Sequence, residues 1–204
     1  MTFATKLTVL RLVLVPVFAF LAISYGLSTA AGAPDETLRW WAFWVFVTAA
    51  ATDGIDGWIA RHFNQISELG AFLDPIADKA LVLSSLVILT FFDWGVEGWR
   101  IPLWFAAIVV LRDSVILAGI RVMWSARKKV EIRPHWTGKV CTFFLFVVLG
   151  WVMLRVTELS PDYPCAFAGV FILLSMVQYI RQGMRIMSWS QESGGRSRKS
   201  ERDT

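Results

Sequence analysis

Histidine and cysteine are the scarcest metal-ligating residues in this chain, two of each among 204. Cys141 and Cys165 fall near opposite ends of two apolar runs, which argues against a disulfide and reads as two small apolar fillers. His62 and His135 fall in linkers, where a solvated or headgroup-facing ring is expected rather than a ligand. Zinc chemistry is thereby disfavoured. Charge is also sparse, at 18% of residues. No internal repeat is visible, which excludes a solenoid.

Apolar residues are abundant: 56% of the chain, with a mean hydropathy of +0.55. Soluble domains lie nearer ~45–50%. Six apolar runs, at about 7–25, 40–60, 71–92, 101–124, 138–157 and 164–182, approach the ~20 residues a bilayer-crossing helix needs. They are too continuous for barrel strands, and they leave no room for a separate soluble domain. The expectation is an all-α integral membrane protein of six transmembrane helices over residues 1–187. A polar, basic, disordered tail is expected over 188–204. The first run ends in "STAAGA", which resembles a signal-peptide cleavage region. Arg11 inside the run and a minimal basic start favour a retained span.

Six spans put both termini on one side. Lys6, Arg61, the basic stretch Arg127, Lys128, Lys129 and Arg133, and the tail arginines all share that side. The positive-inside rule makes it cytoplasmic. The basic excess reads as attraction to membrane lipid headgroups, not to nucleic acid. The tryptophans near span ends (Trp40, Trp41, Trp94, Trp99, Trp124, Trp136 and Trp189) read as an interfacial belt.

Against this background the stretch "DGIDGWIARHFNQISELGAFLDPIADK" stands out. Asp53 and Asp56 are three apart at the end of the second run; Asp74 and Asp78 are four apart at the start of the third. On helices each pair shares a face, and the short linker makes the two helices antiparallel neighbours. Four converging carboxylates repel one another unless they take up protons or bind cations. Hard divalent ions suit such an all-oxygen set, and two ions with shared carboxylates are the arrangement used for phosphoryl chemistry. Gly54, Gly57, Ala60 and Gly70 leave room for close approach, and Arg61 can clamp a phosphate.

The pattern Asp53-x-x-Asp56-Gly57-x-x-Ala60-Arg61, eight residues, then Gly70-x-x-x-Asp74-x-x-x-Asp78 resembles the signature of the CDP-alcohol phosphotransferases at every position. The resemblance implies attack of an alcohol on the lipid-side phosphorus of a CDP-linked lipid, with CMP leaving. It implies that Asp53, Asp56, Asp74 and Asp78 hold two Mg²⁺ or Mn²⁺ ions and that Asp78 is the catalytic base. It further implies that Asp56, Gly57, Ala60, Arg61 and Gly70 form the nucleotide pocket, and that the protein is a homodimer.

Acceptor-site candidates are Thr8 and Arg11 in the first run, Arg112 in the fourth and Lys139 in the fifth. Arg112 and Lys139 can grip an acceptor phosphate; the plainer reading of Arg112 is an ion pair with Asp113. An anionic acceptor follows, and within the family the chain is most similar to the bacterial phosphatidylglycerophosphate synthases. These pass the phosphatidyl group of CDP-diacylglycerol to glycerol 3-phosphate. The alternative is a cardiolipin synthase, with phosphatidylglycerol as acceptor, toward which the Arg112–Asp113 dipeptide leans. Ala4 and Thr5, where many members carry Pro-Asn, and Leu145, where many carry Gln, also depart from the common pattern. A carboxylate-lined cation transporter is the rival from another class. It predicts acids spread through the bilayer depth, whereas these cluster at one end.

Overall fold

The computed structural model describes the backbone of residues 3–63, 68–125, 136–155 and 159–200. It describes side chains for residues 8–52, 77, 79–119, 121, 140–155 and 159–181. Six helices occur in order: α1 Phe3–Ala30, α2 Glu36–Phe63, α3 Glu68–Phe91, α4 Leu103–Ser125, α5 Trp136–Leu154 and α6 Asp162–Ser200. No strand occurs among the described residues. Each apolar run became one helix, extended by a few residues where local chemistry allows. α1 and α2 are joined by the short Ala31–Asp35 segment, and Asp35 caps α2: its Oδ1 accepts the Thr37 N–H at 2.9 Å. α6 runs as a helix to Ser200, into the segment read as a polar tail. Propagating a helix already nucleated by its apolar part adds one hydrogen bond per residue fixed.

Two helices are long and apolar enough among the described residues to cross a membrane, Thr8–Ala30 and Asp162–Arg181. Lys79–Phe91 and Val140–Leu154 are shorter apolar helices. α4 is continuous, and its apolar run carries Arg112 and Asp113 near its middle.

The chain forms two compact units, Met1–Ala106 with Leu145–Cys165, and Ala107–Phe144 with Ala166–Thr204. In the first, α1 packs along both α2 and α3, and among the described residues those two pack on each other far less. The packing follows the helical period. Thr8, Arg11, Phe18, Ala22 and Tyr25 form the buried stripe of α1, and Ala42, Phe46, Ala49 and Thr52 that of α2. Ala77, Leu81, Ser85 and Leu89 form that of α3. Buried hydroxyls return to their own helices: Ser85 donates to Leu81 O at 2.7 Å and Thr90 to Leu86 O at 2.6 Å.

The segment Phe92–Arg100 folds over the end of α5. A helix ends with four carbonyls that lack intrahelical partners, and here all four are met. The Arg155 N–H donates to Trp151 O at 3.1 Å, and Trp99 Nε1 donates to Val152 O at 3.0 Å. Trp94 Nε1 donates to Met153 O at 3.0 Å, and Arg39 Nη1 to Leu154 O at 3.1 Å. The arginines also complement the negative end of the helix dipole. Trp94 is fully buried. It is therefore a plug with its indole N–H satisfied, as is Trp99 in part; neither is the belt residue that its position near a span end predicts. Trp40, Trp41 and Trp44 are exposed, with Thr37 and Glu36 lining a groove of about 330 Å³, and they fit the belt.

In the second unit α5 meets α6 through aromatic rings. Phe144 stacks on Phe171 at 4.9 Å between centroids and meets Phe167 edge-on at 5.5 Å. Cys141 donates its thiol hydrogen to Phe171 O at 3.3 Å. Both cysteines are free and buried.

Candidate active site

α2 carries positions 53 and 56, four and seven residues beyond buried Ala49. By period they continue the stripe Ala42, Phe46, Ala49. α3 carries positions 74 and 78, seven and three residues before buried Leu81, and they continue its stripe through Ser85. Both pairs thus fall on the faces that their helices bury. The aspartate side chains themselves lie outside the described residues, as do those of Ala60, Arg61 and Lys139. So do the surroundings of Gly57 and Gly70. The described residues hold no group of three His, Cys, Asp or Glu suited to a metal ion.

Helix arithmetic fixes the depth of these positions. At its far end α2 meets α1 where Glu36 Oε1 accepts from the Tyr25 hydroxyl at 3.4 Å. The chain just past α3 meets α1 where a Cβ on Gly26 would come 2.7 Å from Phe92 Cβ. Counting 1.5 Å per residue from these contacts, positions 53 and 56 lie about 25 and 30 Å along α2, and positions 78 and 74 about 21 and 27 Å back along α3. By this count the two pairs of positions overlap in depth. Thr8 lies about 25 Å from Tyr25 along α1 by the same count, level with position 53.

Thr8 and Arg11 are buried at 1% and 0% exposure, at this same end of α1. A fully buried guanidinium requires an acidic or hydrogen-bonding environment. The acids that α2 and α3 carry toward that end are the signature aspartates and Glu68. α1 therefore contributes a cationic, hydroxyl-bearing edge to a carboxylate-rich end.

Arg112 and Lys139 belong to the second unit. Arg112 Nη1 lies 3.0 Å from Asp113 Oδ1, with the two side chains 12% and 14% exposed. Consecutive helical residues diverge, so the arginine folds back to make this pair, which is the plainer of the two roles the sequence allows it. Its buried Nε has no hydrogen-bond partner among the described residues.

A cluster that the sequence did not announce joins Tyr25, Glu36, Arg39, Trp94 and Arg155. Glu36 pairs with Arg39 through Oε2 and with Arg155 Nη1 at 3.4 Å through Oε1. Tyr25 meets the Trp94 ring edge-on at 4.6 Å. Gly95, at φ +80°, lets the backbone pass where a Cβ would strike both Tyr25 and Arg155. These residues come from four segments far apart in sequence, so no local motif marks them.

The family model for CDP-alcohol phosphatidyltransferases matches residues 1–181. The chain belongs to this family. A phosphatidyltransferase named CDP-diacylglycerol–glycerol-3-phosphate 3-phosphatidyltransferase, from Escherichia coli (strain K12), is 32% identical over 189 residues. That match covers 86% of this chain and 91% of the relative. Proteins of the same name from Salmonella choleraesuis (strain SC-B67) and Shigella flexneri serotype 5b (strain 8401) are each 33% identical, over 186 and 184 residues, with the same coverage. The chain is thus an all-helical phosphatidyltransferase of a membrane-embedded family.

Proposed function

We propose that this phosphatidyltransferase transfers the phosphatidyl group of CDP-diacylglycerol to glycerol 3-phosphate, forming phosphatidylglycerophosphate and releasing CMP. What carries the reading is the similarity, over 86% of the chain, to enzymes named for that reaction. The depth match of positions 53, 56, 74 and 78 supports the assignment of the chemistry to them.

The acceptor hydroxyl attacks the phosphorus that bears the diacylglycerol. Asp78 takes its proton, and the bond from that phosphorus to the CMP oxygen breaks, so CMP departs with the electron pair. Asp53, Asp56, Asp74 and Asp78 form a donor set that fits two Mg²⁺ or Mn²⁺ ions, which when bound neutralise pyrophosphate and leaving-group charge. Gly57, Ala60 and Gly70 leave room for the nucleotide beside Asp56, and Arg61 clamps its phosphate. Arg112, Lys139, Thr8 and Arg11 are each candidates to bind the anionic acceptor. The catalytic bundle, residues 1–187, crosses the plasma membrane six times with both termini cytoplasmic and works as a homodimer.

The test is a purified assay with labelled CDP-diacylglycerol and, in separate arms, glycerol 3-phosphate and phosphatidylglycerol. Phosphatidylglycerophosphate is the expected product. Cardiolipin formed only in the second arm reassigns the acceptor, and no CMP release with any alcohol removes the reading.

A further inference from the structure

Two prolines in the described backbone lie inside a helix beyond its first turn, Pro16 in α1 and Pro75 in α3. A proline has no N–H, so the carbonyl four residues earlier loses the donor that an α-helix would give it. In α1 that carbonyl belongs to Leu12. In α3 it belongs to Ala71, which in sequence stands between Gly70 and Asp74.

The two carbonyls open on different faces. Leu12 and Pro16 are both exposed, so the Leu12 oxygen lies on the outer face of α1. Positions 71 and 75 fall on the buried side of α3 by period. Val82 and Leu86, seven and eleven residues past 75, are buried, and so is Ser85, fourteen past 71. The side chains around Ala71 itself lie outside the described residues. A backbone carbonyl on a buried face must be met by some other donor or by a cation, because leaving it unpaired costs as much as a lost hydrogen bond. The Ala71 oxygen points along α3 toward residue 75, which puts it beside position 74 in depth. Asp74 and Asp78 share its helix face by period, and ionised carboxylates only accept hydrogen bonds. An added acceptor among acceptors calls for a cation.

We propose that the Ala71 carbonyl, released by Pro75, is a further protein oxygen for the divalent ions assigned to the aspartates. It ligates an ion directly or accepts from a water that the ion carries. Hard divalent ions take oxygen ligands, backbone carbonyls among them, and Mg²⁺ keeps several waters, each of which is a donor. A carbonyl adds an oxygen to the set without adding a fifth negative charge to four that already repel. The arrangement also gives Pro75 a use, since proline inside a helix otherwise only weakens it. Thr8 and Arg11 of α1 are rival donors at this end of the first unit. A bond from either would make the carbonyl indifferent to metal.

The inference rests on the metal role proposed for the aspartates, and its test separates the two. Full-length wild type, Pro75→Ala, Pro16→Ala and Asp53→Asn are compared with a protein carrying the α-hydroxy analogue of alanine at position 75. That analogue has alanine's shape but an ester oxygen in place of the N–H, so the Ala71 carbonyl stays free. Mn²⁺ binding is read by electron paramagnetic resonance without substrate, the waters left on the ion by proton relaxation, and the melting temperature in chelator. Pro75→Ala should melt higher in chelator, because α3 regains a hydrogen bond. It should nevertheless bind Mn²⁺ about tenfold more weakly, the scale seen when groups supporting metal ligands are lost. The ester analogue should restore binding, and Pro16→Ala should bind as wild type does. One more water on Mn²⁺ in Pro75→Ala than in wild type assigns direct ligation; an equal count assigns the water bridge. If Pro75→Ala binds Mn²⁺ normally while Asp53→Asn does not, a protein donor holds the carbonyl and the proposal fails. If the alanine and ester proteins bind equally weakly, the bend imposed by the proline ring is the cause, and the proposal fails again. Normal binding by Asp53→Asn removes the carboxylate reading and this inference with it.

Discussion

In the first unit each orphan carbonyl at the end of α5 is met by an indole, a guanidinium or a backbone N–H, whereas in the second unit α5 meets α6 through stacked phenylalanines and one thiol. The first kind of contact specifies one register; the second tolerates small slips at little cost. The signature aspartates lie in the first unit, and Arg112 and Lys139 in the second. On the proposed assignment, the chemistry that needs ångström placement falls in the unit with directional bonds. Two of the four acceptor candidates, Arg112 and Lys139, lie in the unit whose described packing is softer.

Substitution at the two sites gives the largest expected effects. Asp78→Asn should lower kcat by about 10²–10⁴-fold, the usual scale for a lost general base, with the protein still folded. Arg112→Ala should act mainly on the acceptor, raising its KM about tenfold, as loss of a charged hydrogen bond worth roughly 1.5–3 kcal/mol allows. Steady-state assays varying each substrate check both. A kcat loss in Arg112→Ala as deep as in Asp78→Asn would erase the division of labour. An unchanged KM would leave Arg112 as the Asp113 partner only.

Stability should follow the same contrast. Trp94→Ala removes a fully buried ring and a donor to Met153 O. It should cost about 3–5 kcal/mol, seen as the larger fall in melting temperature in detergent micelles. Phe171→Leu keeps most of the apolar volume in the second unit and forfeits the stack on Phe144, about 0.5–1.5 kcal/mol. Equal losses would mean that the aromatic contact is as specific as the capped helix end.

Much of this was legible in the residues. Six apolar runs predicted six helices, because apolar length and helical period report burial directly. The aspartate spacing put each pair on one face, and the positions fall in period with the buried residues Ala49 and Leu81, while the aspartate side chains lie outside the described residues. The misreadings share a cause. Trp94 and Trp99 look like belt residues because their position near a span end is local information, while the carbonyls that hold them lie more than fifty residues away. Glu36 and Arg155 carry no local signal, since nothing nearby in sequence shows that α5 ends beside α2. Long-range satisfaction of backbone groups is what sequence pattern conveys least.

The smallest effect tests the backbone of that helix end. Arg155 is the one non-glycine residue with positive φ among those described, at 52°. It ends α5 in the left-handed conformation that glycine usually supplies. That conformation costs a side-chain-bearing residue roughly 1–2 kcal/mol, while its ion pair with Glu36, the two side chains 28% and 49% exposed, is worth about 0–1 kcal/mol. Arg155→Ala loses the pair and keeps the strain. Arg155→Gly loses the pair and sheds the strain, less the greater freedom glycine gives the unfolded chain. Glycine should therefore outlast alanine by about 1 kcal/mol, read as a higher melting temperature. If alanine proves the more stable, the left-handed conformation at position 155 costs a side-chain-bearing residue less than the freedom glycine gives the unfolded chain.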